Sequence, residues 1–445
     1  MYRLVANRRS MLAIVTCAVF VVAGAAFVWQ SSAATFATAN EAESGSLQGN
    51  AATASDAAAS NGRMVVFGAN GGGSDTFVAR SGNQLKLDGK TFRFAGANIY
   101  WLGLDDNLRD SSGQPTYPTN YMVNDSLAAA KSMGMGVVRA HSLGISLGCA
   151  KCLMPSLGTY NDSAFTSIDY AISQAKKQGI RLIIPLTDQW RYYHGGKWNF
   201  VHWAAQAGVP GVADTKSDLS KNAGNDYAEG GEKGLEQQFY SNPAIIGYYK
   251  DYISHILNHV GPSGVALKDD PTILAWETGN ELFDAPPAWT ESIASYIKST
   301  LKARQLVADG SAASGLHVSE AVLNNPSIDI VSGHFYAYPS GLDTAWLAQD
   351  ANLSAQKGKV YIAGEWGWSM SGRPAWLQAI KNNSAIAGDL IWSILPRQAN
   401  GTAVPHATLN YGEDDVPLYV PALNQNQTMQ AGIDELTAHA QSMRL

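Results

Sequence analysis

From residue 76 to the C-terminus, short apolar runs alternate with segments in which apolar residues recur every three to four positions. Short, nearly continuous apolar runs are typical of strands that are covered on both faces. We predict eight such strands, at 92–100, 136–142, 181–188, 273–281, 305–310, 329–336, 359–368 and 388–395. Eight strands interleaved with helices over about 370 residues predict an α/β fold of the (β/α)8 TIM barrel type.

The helical segments between these strands carry recognisable start and stop signals. One helix is predicted over 164–178, with Gly179 as its stop. A second should begin with Ser241 as its cap and Pro243 in its first turn. Further helices are predicted at 289–301, 342–356 and 427–443. The alternative fold is an open doubly wound sheet, which would want a glycine-rich turn after its first strand, and Gly-Ala-Asn at 96–98 does not supply one.

The first 75 residues differ in pattern from the rest. Residues 1–34 combine a positive start, a long apolar run and a small-residue end, which indicates a secretory signal peptide or, if it is retained, a membrane anchor. Residues 35–75 are rich in Ala, Ser, Gly and Asn and are predicted to form a low-complexity stalk. Part of this stretch resembles the opening of a carbohydrate-binding β-sandwich, but it is too short for one, so we interpret it as a remnant. Residues 76–445 form the predicted (β/α)8 domain, which carries the candidate functional residues.

Composition narrows the range of functions. The chain has 445 residues, of which 46% are hydrophobic, and a formal net charge of -6, so it offers a large core but not the basic surface that nucleic acids require. Twelve Trp and nineteen Tyr suit stacking on flat apolar faces such as those of sugar rings. Cys149 and Cys152 could form a small disulfide or remain free thiols, and further ligands for a metal site are not apparent. We therefore predict neither a metal nor a cofactor.

Polar residues stand at the C-terminal ends of the predicted strands, where a barrel carries its active site. Glu281 ends strand four and Glu365 lies on strand seven, each inside an apolar run, and burying a carboxylate without a purpose is costly. Cleavage of a glycosidic bond needs one protonated and one ionised carboxyl group facing the same sugar. The other strand-end candidates are Arg139, His141, Asn280, His334, Tyr336 and Trp392.

An ordered set of motifs lies on these strand ends: RAH at Arg139, GNE ending at Glu281, HFY at His334, GEWGW at Glu365, and Trp392 on the last strand. Through this set, the chain resembles glycoside hydrolase family 5 from about residue 84 to residue 397. The resemblance implies a retaining β-glycosidase in which Glu281 is the general acid/base and Glu365 is the nucleophile.

The same resemblance implies roles for the neighbouring residues. Arg139 and Tyr336 would hydrogen-bond the nucleophile, and a nearby cation and donor keep a carboxylate ionised. Asn280 would bind the 2-hydroxyl of the sugar, a contact that strengthens in the transition state. His334 would orient the acid/base or a hydroxyl group. His141 has no such role and is left open between a sugar contact and the core.

The run FAGANIYWLG and the pair GNE…HFY are most similar to β-mannanases, whereas YYHGG and GEWGW depart from that pattern. We predict a secreted, monomeric endo-β-1,4-mannanase that binds a polysaccharide, with no nucleic-acid partner and no membrane contact after signal cleavage. Trp101, Trp190 and Trp368 are expected to stack on sugars, with Trp392 as the floor of the sugar that is cleaved. The alternatives are a β-1,4-glucanase or another β-glycosidase of the family, a sugar-binding pseudoenzyme and a wall-anchored structural protein.

Overall fold

A computed structural model describes the chain at residues 51–55, 63–67, 76–190, 194–214, 237–312, 316–336, 341–404 and 416–444. Two compact units are present, Met1–Asn70 and Gly71–Leu445. In the first, the strands Ala51–Ser55 and Arg63–Phe67 pair in antiparallel orientation. The predicted signal segment lies outside the described residues, as does most of the predicted stalk. Within the described ranges, no helix has the length and apolar character that crossing a membrane requires.

The second unit is built on a closed barrel of eight parallel strands, so the predicted (β/α)8 fold is confirmed. The strands are β1 (Phe94–Asn98), β2 (Val137–Arg139), β3 (Arg181–Pro185), β4 (Ile273–Glu277), β5 (Leu306–Ala308), β6 (Ile330–Phe335), β7 (Val360–Gly367) and β8 (Ile386–Trp392). Each matches one predicted strand, but each ends before the predicted C-terminal limit. The polar residues after β2 and β4 therefore lie in the connections above the barrel.

Helices cover the barrel from outside. They are α1 (Asn120–Ser132), α2 (Phe165–Gln178), α3 (Lys197–Gln206), α4 (Gln238–Ser241), α5 (Pro243–Asn258), α6 (Pro287–Ser295), α7 (Thr344–Gln356), α8 (Arg373–Asn382) and α9 (Gln427–Met443).

The predicted N-terminal cap of α5 is wrong. The side chain of Asn242, not that of Ser241, accepts the N–H groups of Ala244 and Ile245 at the start of α5. Ser241 instead belongs to α4, where its hydroxyl donates to the Gln237 carbonyl.

The barrel interior changes from apolar to polar along its axis. A small antiparallel sheet, formed by Ala79–Ser81, Gln84–Leu87 and Lys90–Thr91, contributes Leu85 to the apolar cluster inside the barrel. Side chains two residues apart share a face of a strand. On β2 and β4 the apolar residues Val137 and Ala275 belong to this cluster, and the next inward positions are Arg139 and Glu277. The apolar interior thus supports a buried charged layer.

Near the same end of the barrel, Cys149 and Cys152 form a disulfide in the connection that follows β2. The structure therefore selects the first of the two alternatives left open by the sequence. The loop is tied to a neighbouring connection: the Tyr117 hydroxyl donates to the Lys151 carbonyl at 2.8 Å, and the Lys151 ammonium lies 3.0 Å from Asp110. The short strands Asp105–Arg109 and Pro115–Thr116 pair within that connection.

Candidate active site

Arg139, at the end of β2, is the centre of the buried charged layer. Its Nε and Nη2 donate to the two carboxylate oxygens of Glu277 at 2.7 and 3.0 Å, and Nη2 also donates to Oδ1 of Asn280 at 2.7 Å. Its Nη1 donates to Oε1 of Glu365 at 2.6 Å and lies 2.7 Å from Nε2 of His141. Charged bidentate contacts of this kind combine strength with a fixed geometry. The guanidinium is thereby held in one orientation against Glu365.

Two residues of this network were missed in the sequence. Glu277 carries the paired contact to Arg139, and Asn98 at the end of β1 accepts from Nη1 of Arg139 at 3.2 Å. The Asn98 amide donates to the carbonyls of Gly364 and Ile391, so it links β1 to the two strands beside it. Glu277 ends the apolar run ILAWE, and the cost of burying a carboxylate could have identified it.

Glu365 lies buried on β7 with a donor on each carboxylate oxygen. Arg139 contacts Oε1, and the Tyr336 hydroxyl donates to Oε2 at 2.5 Å. Nδ1 of His334 lies 3.6 Å from the same Oε2. Burial raises the pKa of Glu365 and the charge of Glu281 adds to this rise, while His334 and Arg139 oppose it; the net shift of the pKa is upward.

Glu281 is buried in the connection after β4, where its backbone adopts φ +50°. A non-glycine residue in this left-handed region costs about 1–2 kcal/mol, so it persists only where its surroundings fix it. The flanking backbone is fixed by bonds from the Asn280 N–H to Thr187 and from the Leu282 N–H to Gly310. A Cβ on Gly310 would stand 1.8 Å from the carbonyl oxygen of Gly279, so this close approach needs glycine.

The Glu281 carboxylate has two partners in the site. Nε1 of Trp190 donates to Oε2 at 2.5 Å, and Nδ1 of His334 lies 2.7 Å from Oε1. Burial favours the neutral form of Glu281, but the contacts with His334 and Trp190 outweigh it, and the net shift of its pKa is downward. Burial alone would lower the pKa of His334, but Glu365 and Glu281 raise it above its ordinary value. Both shifts favour the charged forms of the two side chains, the carboxylate of Glu281 and the imidazolium of His334.

One oxygen of Glu281, one oxygen of Glu365 and one nitrogen of His334 all lie within 4.8 Å of one another. These three side chains are also the one set among the described residues that could hold a metal ion by proximity. Each already has hydrogen-bond partners within the protein. Retaining glycosidases place their two carboxyl groups about 5–5.5 Å apart, and inverting ones about 6.5–9.5 Å. The convergence that the sequence predicts for the two glutamates is thus present, at a separation nearer to the retaining geometry.

The aromatic residues predicted to bind sugar differ in their position and exposure. Trp392 stacks on Tyr100, with ring centroids 5.2 Å apart, and lies at the end of β8. Trp190 is half-buried and contacts Glu281 through its N–H, and its stacking on a sugar stays a prediction. Trp101 is 0% exposed and Trp368 3% exposed, and their indole N–H groups donate to protein carbonyls. The stacking on sugars expected of Trp101 is therefore wrong, because its ring is fully packed in the core, whereas the stacking expected of Trp368 stays a prediction.

His141, which the sequence left open, is also inside the protein. It follows β2, is 0% exposed and contacts Arg139. The structure thus assigns it to the buried network rather than to a sugar-facing surface.

Comparison with known proteins adds independent findings. A family model described as GH family 5 β-mannosidase-like matches residues 75–388. The mannan endo-1,4-β-mannosidase 8 of Oryza sativa is 32% identical over 265 residues, which are 58% of this chain and 62% of that protein. The mannan endo-1,4-β-mannosidase 1 of Solanum lycopersicum is 32% identical over 231 residues, half of each chain. The matched region spans from about half to three-fifths of these two relatives.

Among solved structures, an endo-1,4-β-mannanase from Rhizomucor miehei is 27% identical, with a TM-score of 0.59 over 82% of this chain and 100% of that one. A family 5 mannosidase from the same organism is 20% identical, with a TM-score of 0.62 over 84% of this chain and 99% of that one. At that identity, the second likeness concerns the fold alone.

Proposed function

The chain belongs to glycoside hydrolase family 5, and from that premise we propose that it is a retaining endo-β-1,4-mannanase. The observation that carries the proposal is the convergence of Glu281 and Glu365 within 4.8 Å, with different partners on each carboxylate. Two carboxyl groups at this separation suit a double displacement with a covalent glycosyl-enzyme intermediate.

In the first step, an oxygen of Glu365 bonds to the anomeric carbon while the glycosidic C–O bond breaks. Glu281 gives its proton to the departing oxygen. In the second step, Glu281 takes a proton from water, whose oxygen displaces Glu365 from the anomeric carbon. Two displacements at one carbon restore its original configuration.

The partners of the two carboxylates support this assignment of roles. Glu365 pairs with Arg139, which stays charged at any working pH, so the carboxylate remains an ionised nucleophile although burial raises its pKa. Glu281 pairs with His334, which can gain and lose a proton. The proton needed by the leaving group therefore stays within the His334–Glu281 pair and can return to the carboxylate when the substrate is bound.

Mannan is favoured over glucan by the relatives whose names specify a mannan substrate. Trp392 would form the floor of the subsite in which the bond is cleaved, because it lies at the end of β8 at the mouth of the barrel. Asn280 would bind the 2-hydroxyl through its amide nitrogen, while its oxygen stays with Arg139. A β-1,4-glucanase is the second candidate, because the two glutamates alone do not distinguish the epimers at that hydroxyl.

The proposal includes export and a monomeric enzyme. Residues 1–34 would direct the chain out of the cell and residues 35–75 would serve as a stalk ahead of the catalytic domain. The Cys149–Cys152 disulfide is compatible with an oxidising compartment. The partner is a neutral polysaccharide.

The first test is the release of reducing ends from mannan, carboxymethylcellulose, xylan and β-1,3-glucan, measured side by side. We expect the fastest release from mannan, a rapid fall in its viscosity as internal bonds are cut, and a first product that keeps the β configuration by NMR. Fastest release from carboxymethylcellulose would favour the glucanase. No release from any of the four would contradict the hydrolase, and an initial α product would contradict the retaining mechanism.

A second prediction concerns Glu277. Glu277→Gln should lower kcat on mannan by about 10- to 100-fold with little change in KM, because its amide presents an N–H to a guanidinium that can only donate. Arg139 would then shift relative to Glu365 without loss of a sugar contact. The measurement is steady-state kinetics beside Glu291→Gln, a matched change at an exposed position of α6. Wild-type kcat in Glu277→Gln would show that the Arg139 orientation does not depend on this carboxylate.

A further inference from the structure

His141 and Asp188 are two fully buried residues that the proposed mechanism does not use. His141 follows β2, and Asp188 lies beyond β3, where it forms an isolated parallel bridge with Asn280. Neither side chain reaches the surface, yet both can carry a charge. Burial of such groups is costly unless they satisfy one another or a neighbour.

The contact with Arg139 determines which nitrogen of His141 carries a proton. Nη1 of Arg139 lies 2.7 Å from Nε2 of His141, and a guanidinium has only donors. Nε2 must therefore present its lone pair, which leaves the proton of the neutral ring on Nδ1. A charged imidazolium would place N–H against N–H at this contact, and burial and Arg139 indeed lower the pKa of His141 well below its ordinary value.

Asp188 stands on the other side of the ring. Its Oδ1 accepts the backbone N–H of Trp190 at 2.9 Å and the amide of Asn280 at 3.0 Å. Its Oδ2 has no hydrogen-bond partner among the described residues and lies 3.7 Å from Nδ1 of His141. That distance is longer than a hydrogen bond, but an N–H dipole in front of a buried oxygen is stabilised, whereas a lone pair there is repelled.

We propose that Asp188 and His141 are a positioning pair: Asp188 fixes the Nδ1–H tautomer of His141, and the Nε2 lone pair of His141 holds Arg139 in the orientation that serves Glu365. Nε2 of His141 lies 3.8 Å from Oε1 of Glu365, beyond hydrogen-bond distance, so the pair acts on the nucleophile through the guanidinium. This inference rests on the proposed function, because its effect on catalysis passes through the nucleophile.

The network has a second connection that makes the assignment specific. Asp188 also holds Asn280, whose Oδ1 accepts from Nη2 of Arg139. Asp188 is therefore connected to the guanidinium through two residues: through Asn280 to Nη2, and through His141 to Nη1. Asp188→Asn keeps the connection through Asn280, because its oxygen can still accept from Trp190 and Asn280. The amide nitrogen of the new asparagine places an N–H in front of Nδ1 of His141. The variant therefore disturbs only the connection through His141.

The experiment combines single and double variants in the full chain. Asp188→Asn and His141→Phe should each lower kcat by about 10- to 100-fold, with KM little changed, because the nucleophile is misplaced and no sugar contact is lost. The double variant should match His141→Phe within about twofold, because Asp188 acts through His141. His141→Gln, whose side-chain oxygen can occupy the position of Nε2 as an acceptor, should recover most of the kcat. The loss should persist on an aryl β-mannoside with a good leaving group, since it does not concern proton donation.

A spectroscopic measurement keeps the test independent of activity and of the tolerance of these sites to mutation. In wild-type protein labelled with 15N-histidine, the His141 ring should show a protonated Nδ1 and an unprotonated Nε2, unchanged between about pH 5 and 8. Protonation at Nε2, a multiplicative loss in the double variant, or wild-type kcat in Asp188→Asn would each overturn the pair. If the wild-type protein hydrolysed no β-glycan, the proposed function would fail, and the NMR result would still decide the tautomer.

Discussion

Glu365→Ala is expected to lower kcat on mannan by about 10,000-fold or more, the scale seen when a covalent nucleophile is removed. The change deletes the side chain proposed to bond to the anomeric carbon, and it leaves Arg139 and Tyr336 without the carboxylate that they contact. Initial rates on mannan and on an aryl β-mannoside measure the loss. Added azide should restore turnover of the aryl substrate, and the product should be an α-mannosyl azide because only one displacement takes place.

The matched control is Glu291→Ala, at an exposed helical position where no effect on kcat is expected. A β-mannosyl azide product would show that Glu365 is not the nucleophile. Activity near wild type would remove the basis of the hydrolase proposal altogether.

Glu281→Ala should lower kcat/KM on mannan by about 100- to 10,000-fold, because the leaving oxygen then departs without a proton. With a dinitrophenyl leaving group, which needs no proton, the first step should be almost unaffected, and the intermediate on Glu365 should accumulate because water lacks its general base. A burst of dinitrophenol measures this, and azide should accelerate turnover with a β-mannosyl azide as product.

Opposite azide products from the two variants separate the two roles within one experiment. Equal losses on mannan and on the dinitrophenyl substrate in Glu281→Ala would instead show that this residue has another role. Glu291→Ala again serves as the control for the effect of losing a carboxylate.

The fold could be predicted because the barrel strands are covered on both faces and stand out as apolar runs. The strand ends could not, because pairing stops where polar side chains turn toward the site, as after Arg139 and Glu277. In the sequence, apolar residues continue past the position at which strand pairing stops. The cap of α5 was misplaced for a related reason: Ser241 and Asn242 are both good caps, and only the structure shows which one faces the free N–H groups.

Within the site, the two glutamates could be identified because a carboxylate in an apolar run is unusual. By the same reasoning Glu277 was identifiable, whereas Asn98 was not. Burying an amide costs little free energy when carbonyl groups accept its N–H hydrogens. The role of a tryptophan is ambiguous in sequence, because its flat apolar ring packs equally well against a sugar or within a core. Trp101 was assigned wrongly since its partner, the Ile394 carbonyl, lies far along the chain.

The guanidinium of Arg139 has five N–H groups, and protein groups surround all of them: the Nε and Nη2 groups contact Glu277 and Asn280, and the Nη1 group contacts Glu365, His141 and Asn98. Hence this cation has no donor left over for a hydroxyl group of an incoming sugar. Arg139 therefore acts on the charge of Glu365 and not directly on the sugar, and Asn280 is the residue that connects this network to the proposed sugar contact. An engineer could vary side chains that contact the sugar but do not bond to Arg139, and the electrostatic environment of Glu365 would remain unaltered.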